Sequence, residues 1–268
     1  GIKGMSGDLG YDISGRYGYN DISYTLANTI NPSMGNESPT SFKPGDLTNE
    51  ETQIQADFTY DFDEYILAFG ASYLDESYEI SEGGVDSYFA GPYATSDPWG
   101  FCDGDAASAA GLAVIGTGST LNCADSDDAV YTVVGVGSNG FPGYSPDYSG
   151  TYSRDSYAVY TDISGDITDE LFAQAAIRYE DYSDFGSEVV YKVAGIYQIN
   201  DEIAVRSSYG TGFRAPTPGQ QGTTNVSTRL PDGFPVATGL FPAGGDVAQA
   251  LGAEELLPEK STNFTLGL

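Results

Sequence analysis

The sequence of 268 residues contains no histidine, two cysteines, one tryptophan and only 10 Lys+Arg against 39 Asp+Glu. Each scarcity excludes something. Without histidine there is no Ser-His-Asp or Cys-His nucleophile system. No zinc site with a histidine ligand is possible, and two thiols cannot close an all-cysteine one. A net charge of −29 argues against a nucleic-acid partner, because phosphate binding needs clustered Lys and Arg. No basic, apolar signal segment opens the chain at Gly1. No run approaches 18 apolar residues, so no membrane helix is expected. Low hydropathy does not settle solubility, since a membrane barrel hides its apolar residues by alternation.

What the chain has is tyrosine, phenylalanine and glycine: 21, 13 and 35 of them. That is too aromatic for a disordered acidic tail. The apolar residues alternate with period two. Ile54, Ala56, Phe58, Tyr60 and Phe62 share one phase, and Gln53, Gln55, Asp57, Thr59 and Asp61 share the other. The pattern recurs at residues 9–17, 65–73, 171–180, 189–198 and 203–209. Weaker copies run through residues 22–30, 157–163 and 262–268, which makes nine expected strands. Short polar turns are expected at residues 18–21, 61–64, 164–170 and 200–202. On the opposite side, residues 31–49, 80–150 and 215–257 read as long loops and residues 181–186 as a short one. Short turns at one end and long loops at the other are the asymmetry of an outer-membrane barrel. The expected class is all-β: part of an antiparallel up-and-down transmembrane barrel. A β-sandwich alternates too, but its strands are usually shorter.

Charge and tyrosine placement agree with that reading. Arg16, Asp57, Arg154, Arg178, Lys192 and Arg206 fall in the polar phase of their segments, where a barrel tolerates charge. Arg178, Lys192 and Arg206 are therefore candidate lumen-facing cations. Tyr11, Tyr17, Tyr19, Tyr24, Tyr60, Tyr65, Tyr73, Tyr157, Tyr179, Tyr197 and Tyr209 fall near the expected strand ends, as an aromatic girdle would.

Two local patterns carry no site. Gly135, Gly137 and Gly140 form G-x-G-x-x-G, but no helical pattern follows to hold a dinucleotide. Asp103, Asp105, Asp125, Asp127 and Asp128 lack the spacing of a calcium loop and read as a solvated acidic loop, so no metal site is expected. Cys102 and Cys123 lie in that same loop and read as a disulfide in an oxidising compartment. No residue suggests bond-making chemistry, so no enzyme and no cofactor are expected.

Late in the chain stands Tyr209-Gly210-Thr211-Gly212-Phe213-Arg214-Ala215-Pro216. After a loop comes Leu256-Leu257-Pro258-Glu259-Lys260-Ser261-Thr262-Asn263. Arg178-Tyr179-Glu180-Asp181-Tyr182-Ser183 and Asn31-Pro32-Ser33-Met34-Gly35 precede them. This set resembles the barrel domain of TonB-dependent outer-membrane receptors, with Gly212, Phe213, Arg214, Pro216, Pro258, Glu259, Ser261 and Asn263 carrying the motif. The resemblance covers nearly all of the chain except residues 80–150. It implies an internal part of a 22-stranded barrel, with plug domain and remaining strands elsewhere, so that these strands alone would neither close nor transport. It implies outer-membrane lipid, a TonB complex acting through the plug, and a small-molecule solute as partners. The solute would be of the siderophore, cobalamin or saccharide class. Tyr88, Phe89, Tyr93, Trp99, Phe101, Phe141, Tyr144 and Tyr148 in the long loop are then candidate capture residues, because aromatics offer rigid contact area. A passive porin and a secreted sandwich adhesion module are the competing readings.

Overall fold

The computed structural model describes residues 1–229 and 236–268. Nine strands form one antiparallel sheet: β1 Ile2–Ser6, β2 Leu9–Ser23, β3 Asp46–Asp61, β4 Tyr65–Ile80, β5 Gly150–Thr168, β6 Leu171–Tyr182, β7 Gly186–Asn200, β8 Ile203–Arg214 and β9 Glu259–Gly267. Each pairs with its neighbours in sequence, so the topology is a pure up-and-down meander. No second large sheet packs on it among the described residues, which removes the sandwich. The sheet is an open part of a barrel, with β1 and β9 at its edges.

The count of nine agrees with expectation for partly compensating reasons. Residues 18–21 do not turn; they lie inside β2, which runs unbroken for 15 residues. Gly-Tyr-Asn-Asp reads as a turn by composition, but β3 offers a continuous partner from Leu9↔Tyr60 to Ser23↔Asp46. That ladder outweighs local turn preference. Residues 22–30 are accordingly not a separate strand of the sheet; Ile22 and Ser23 end β2, and beyond them only Leu26–Ala27 pairs, with Ser41–Phe42. The strand that restores the count is β1, whose short Ile-Lys-Gly-Met-Ser alternation is too weak to stand out. It enters β2 through Gly7, whose φ of 62° suits glycine. Residues 164–168 likewise belong to β5, leaving a tighter turn before β6.

The two phases of the sheet differ as expected. On the outward phase Ile54, Val159, Ile177, Val189 and Val193 are exposed. An apolar surface of this extent has to be covered, and lipid covers it in a barrel. The inward phase is a hydrogen-bonded polar surface. Tyr160 Oη donates to Asp57 Oδ1 at 2.7 Å, Gln55 Nε2 to Asp57 Oδ2 at 2.8 Å and Gln174 Nε2 to Asp162 Oδ2 at 2.8 Å. Arg16 pairs with Glu51 on the same face.

The tyrosines mark the strand ends only beside the short turns, because at the other end the strands are longer than a membrane crossing needs. β4 and β5 have 16 and 19 residues, whereas about 9–11 suffice to cross. Tyr65 and Tyr73 bracket Leu67, Phe69 and Ala71 on β4. Eight residues at about 3.4 Å span roughly 27 Å along the strand, which strand tilt reduces to the order of 20 Å. Tyr73 pairs with Tyr157 across the β4–β5 ladder, and Tyr191 lies against Tyr209 with centroids 6.2 Å apart. These rings form an upper row, with Tyr60, Tyr65 and Tyr197 near the short turns. Tyr24 belongs to neither row; it leaves the sheet and packs on Phe141.

This assignment predicts a position-specific cost. Val193→Lys puts an ammonium on the outward phase between the two rows, and should destabilise the barrel by about 2–4 kcal/mol. Ala194→Lys, one residue on and facing inward, should cost little. Urea unfolding of the two variants in detergent compares them. Equal losses would mean that the phases are assigned wrongly.

Candidate capture site at the outer end

The long connections at one end of the sheet fold together. Residues 24–45 and 81–149 share a core made largely of small polar side chains. Asn31, Ser33 and Ser138 are fully buried, and Ser87 and Pro44 nearly so. Burying such groups is tolerable only with complete hydrogen bonding. Asn31 Nδ2 donates to the carbonyls of Asp86 and Phe89 at 2.9 and 2.8 Å. Its Oδ1 accepts from Ser33 N and Ser33 Oγ at 3.2 and 2.7 Å. Ser33 Oγ accepts in turn from Gly91 N at 3.0 Å. A Cβ on Gly91 would lie 2.2 Å from the Ser33 carbonyl, so glycine is required there. The carbonyl of Ser87 accepts from Ser138 N and Gly143 N. Phe42, Ile80, Ala94 and Val136 supply the apolar remainder. The loops are thus one folded cap, not separate arms.

The candidate capture aromatics divide among three places on this cap. Tyr93, Trp99 and Phe101 form a ladder, with centroid separations of 5.2 and 5.4 Å. Trp99 still exposes 54% of its surface. Phe141 packs between Tyr24 and Tyr144 at 5.4 and 5.8 Å. Tyr148 meets Phe241 edge-on at 5.9 Å. Phe89 is exposed. Tyr88 Oη donates to Glu82 Oε1 at 2.5 Å; that hydrogen bond, then burial, raises its pKa above the ordinary tyrosine value. Burial, with Tyr78 and Tyr24 nearby, does the same for Tyr144. Cys102 and Cys123 are joined, with Cα atoms 5.5 Å apart. The glycine-rich stretch at 135–140 is loop, with Gly137 and Gly140 at positive φ. No group of side chains arranged for a metal ion occurs among the described residues.

The third long connection, residues 215–258, contributes most to the site; residues 230–235 of it lie outside the described residues. Its first turn, α1 Pro218–Gln221, is closed by a capping box between Thr217 and Gln220. This turn lies over the inward phase of the sheet, with Gly219 on Tyr78 and Gly222 on Tyr152. Arg154 holds it there. It falls in the polar phase, as expected, but it is buried. Its guanidinium meets Glu76 at 2.8 Å and Asp184 at 3.8 Å, and donates to the Pro216 carbonyl. The Tyr182 ring lies 5.0 Å from its Cζ. Asp184 accepts from Gln221 at 2.5 Å. Beside this cluster Arg178 Nε donates to Glu180 at 2.9 Å, and Tyr182 Oη to Glu180 at 2.8 Å. Lys192 and Arg206 stand on the same phase, exposed.

The two halves of the late motif lie side by side. Gly212 pairs with Ser261, Phe213 with Lys260, Arg214 with Glu259 and Gly210 with Asn263. Pro258 immediately precedes β9. The Arg214–Glu259 contact of 3.7 Å is exposed and contributes little energy. Lys260 reaches Glu188 at 2.8 Å, and Phe213 packs edge-on against Tyr182. The motif therefore closes the β8–β9 pair and feeds Pro216 to Arg154.

Between the end of the second long loop, the β6–β7 connection and residues 241–257 lies a cavity of about 960 Å³. Tyr148, Tyr152, Phe185 and Phe241 form its aromatic walls, and Leu256, Leu257 and Val247 extend them. Asp147, Asp184, Asp246 and Glu255 are its acidic groups. Only Tyr148 of these is expected from the sequence as a capture residue, and Leu256 and Leu257 stand in the late motif. The others lie far apart in the chain and only the packed loops bring them together.

Residues 3–268 match the family described as TonB dependent receptor-like, beta-barrel. The chain belongs to this family. Over 64 residues it is 36% identical to the vitamin B12 transporter BtuB of Photobacterium profundum, a stretch that is 24% of this chain and 10% of that protein. Over 70 residues it is 30% identical to BtuB of Vibrio cholerae, which is 26% of this chain and 11% of the relative. The siderophore receptor PirA from Acinetobacter baumannii superimposes with a TM-score of 0.50 at 12% identity, over 99% of this chain and 31% of PirA. The fold is thus that of a receptor barrel, and the chain spans less than a third of that receptor's length. The family is one of outer-membrane transport receptors, not enzymes.

Proposed function

We propose that this chain supplies nine strands and the outer cap of a Gram-negative outer-membrane receptor for TonB-energised uptake of a scarce solute. The family match over residues 3–268 carries the reading. The polarised build supports it: tight turns at one end, and at the other a folded cap of long loops with an aromatic-walled cavity. Vitamin B12 and siderophores, named for the relatives, are bulky and scarce, so passive diffusion delivers them poorly. A plug domain and further strands would complete the barrel and link it to TonB. The cap aromatics and the inward cations Arg178, Lys192 and Arg206 would line the solute's path.

Uptake by whole cells tests this. Labelled cobalamin, ferric siderophores and oligosaccharides would be offered to cells with and without the gene, and with and without a working TonB. Accumulation that needs both supports the receptor. Accumulation that needs the gene but not TonB would make the protein a passive channel.

A further inference from the structure

The cavity at the outer mouth has a chemistry that narrows the solute. Its volume of about 960 Å³ lies within the range of small-molecule sites. Tyr148 and Phe241 present ring surface to it from two different loops. Its charges are all of one sign, with no Lys or Arg among the described lining residues. Asp184 is already engaged by Gln221 and Arg154. Asp147, Asp246 and Glu255 make no side-chain ion pair or hydrogen bond among the described residues, so their charge is uncompensated locally.

The surroundings reinforce this. Residues 81–149 contain nine Asp+Glu and no Lys or Arg. The four outer connections together, residues 24–45, 81–149, 183–185 and 215–258, contain fifteen acidic and two basic residues. A mouth of one sign concentrates the opposite sign and repels its own. A carboxylate- or phosphate-bearing solute would approach against that field and find no cation among the described walls. A positively charged solute is drawn in, meets three free carboxylates, and can lay its cationic group on aromatic faces.

We propose that this cavity binds an organic cation: an amine-, amidine- or quaternary-nitrogen-bearing molecule with an apolar or aromatic body. This rests on the receptor reading for its biological purpose, but not for its binding chemistry. The apolar body lies against Tyr148, Phe241 and Leu257, and the charge toward Asp147, Asp246 and Glu255.

The test uses the full receptor that carries these strands, purified in detergent, and fluorescent probes of similar size and different charge. Rhodamine 6G supplies the cation and fluorescein the anion, read by anisotropy. The cation should bind at least about tenfold more tightly, and its affinity should fall on raising salt to about 0.5 M. Asp246→Asn with Glu255→Gln, both at exposed positions, should weaken rhodamine 6G about tenfold without changing the proteolytic pattern. Phe241→Ala should weaken it by a similar factor through lost ring contact. Fluorescein bound as tightly as rhodamine 6G, no binding of either probe, or indifference to the acidic replacements would each overturn the proposal. The two readings fail separately. TonB-dependent uptake of an anion by a receptor that rejects the cation removes the cation site and leaves the receptor. Cation binding without any TonB-dependent uptake does the reverse.

Discussion

Replacing Arg154 with alanine is expected to release residues 215–258 from the sheet and to cost about 3–5 kcal/mol. The guanidinium side chain is only 6% exposed, and its partners Glu76 and Asp184 are 17% and 19% exposed. Desolvating three charges is expensive, and their mutual attraction offsets that only while all three are present. Alanine leaves two carboxylates facing each other with little water. It also strands the Pro216 carbonyl and removes the cation from the Tyr182 ring. The first sign would be new protease cleavage within residues 215–258 of the folded receptor, before the strands themselves become susceptible. Arg154→Lys should recover only part of the loss, because an ammonium cannot contact Glu76, Asp184 and Pro216 together as a planar fork does. The decisive control is Arg154→Met combined with Glu76→Gln and Asp184→Asn. With no charge left to desolvate, it should regain most of the stability. If the single alanine variant loses less than about 1 kcal/mol, the cluster is a surface ion pair in effect and the anchoring role is wrong.

This residue also shows where sequence reading stops. Period two identified Arg154 correctly as inward-facing, because alternation is a property of one strand. It could not reveal burial, which depends on β4, on the β6–β7 connection and on α1 arriving from elsewhere. The strand ladders were legible for the same local reason, as at residues 53–62 and 65–73. Errors came where composition imitated punctuation. Gly18 with Asn20 and Asp21 resembles a turn, yet it continues a strand because β3 is long enough to pair it. The tyrosines were expected at strand ends, whereas Tyr73 and Tyr157 pair well inside longer strands. The cavity was the least legible. Phe185, Phe241, Asp246 and Glu255 have no pattern among themselves, and only the packing of two separate loops makes them neighbours.

Asn31→Ala should unfold the cap while leaving the strands paired, at a cost of about 4 kcal/mol. In sequence Asn31 opens one of the stretches that carry the family resemblance, but nothing there shows that it is buried. In the fold it is fully buried and satisfies four partners: the carbonyls of Asp86 and Phe89, and the amide and hydroxyl of Ser33. A net contribution of about 1 kcal/mol for each bond gives that figure. The penalty is steep because the partners stay buried when the side chain is removed. The Asp86 carbonyl loses its donor, and the Ser33 hydroxyl is left with the Phe89 carbonyl, at 3.3 Å, as its acceptor in a site that admits little water. Asn31→Asp discriminates between shape and hydrogen bonding. It keeps the volume and the acceptor for Ser33, but turns the group facing the two carbonyls from donor to anion. It should therefore be at least as harmful as alanine. Hydrogen exchange on the intact receptor separates cap from barrel: amides of Ser33, Gly91, Ser138 and Gly143 should lose protection in both variants, while those of β4 and β5 in the membrane band keep theirs. Loss of protection in the strands as well would mean that cap and sheet unfold as one unit. Retained protection at Gly91 and Ser138 would mean that the polar core is not what joins residues 24–45 to residues 81–149.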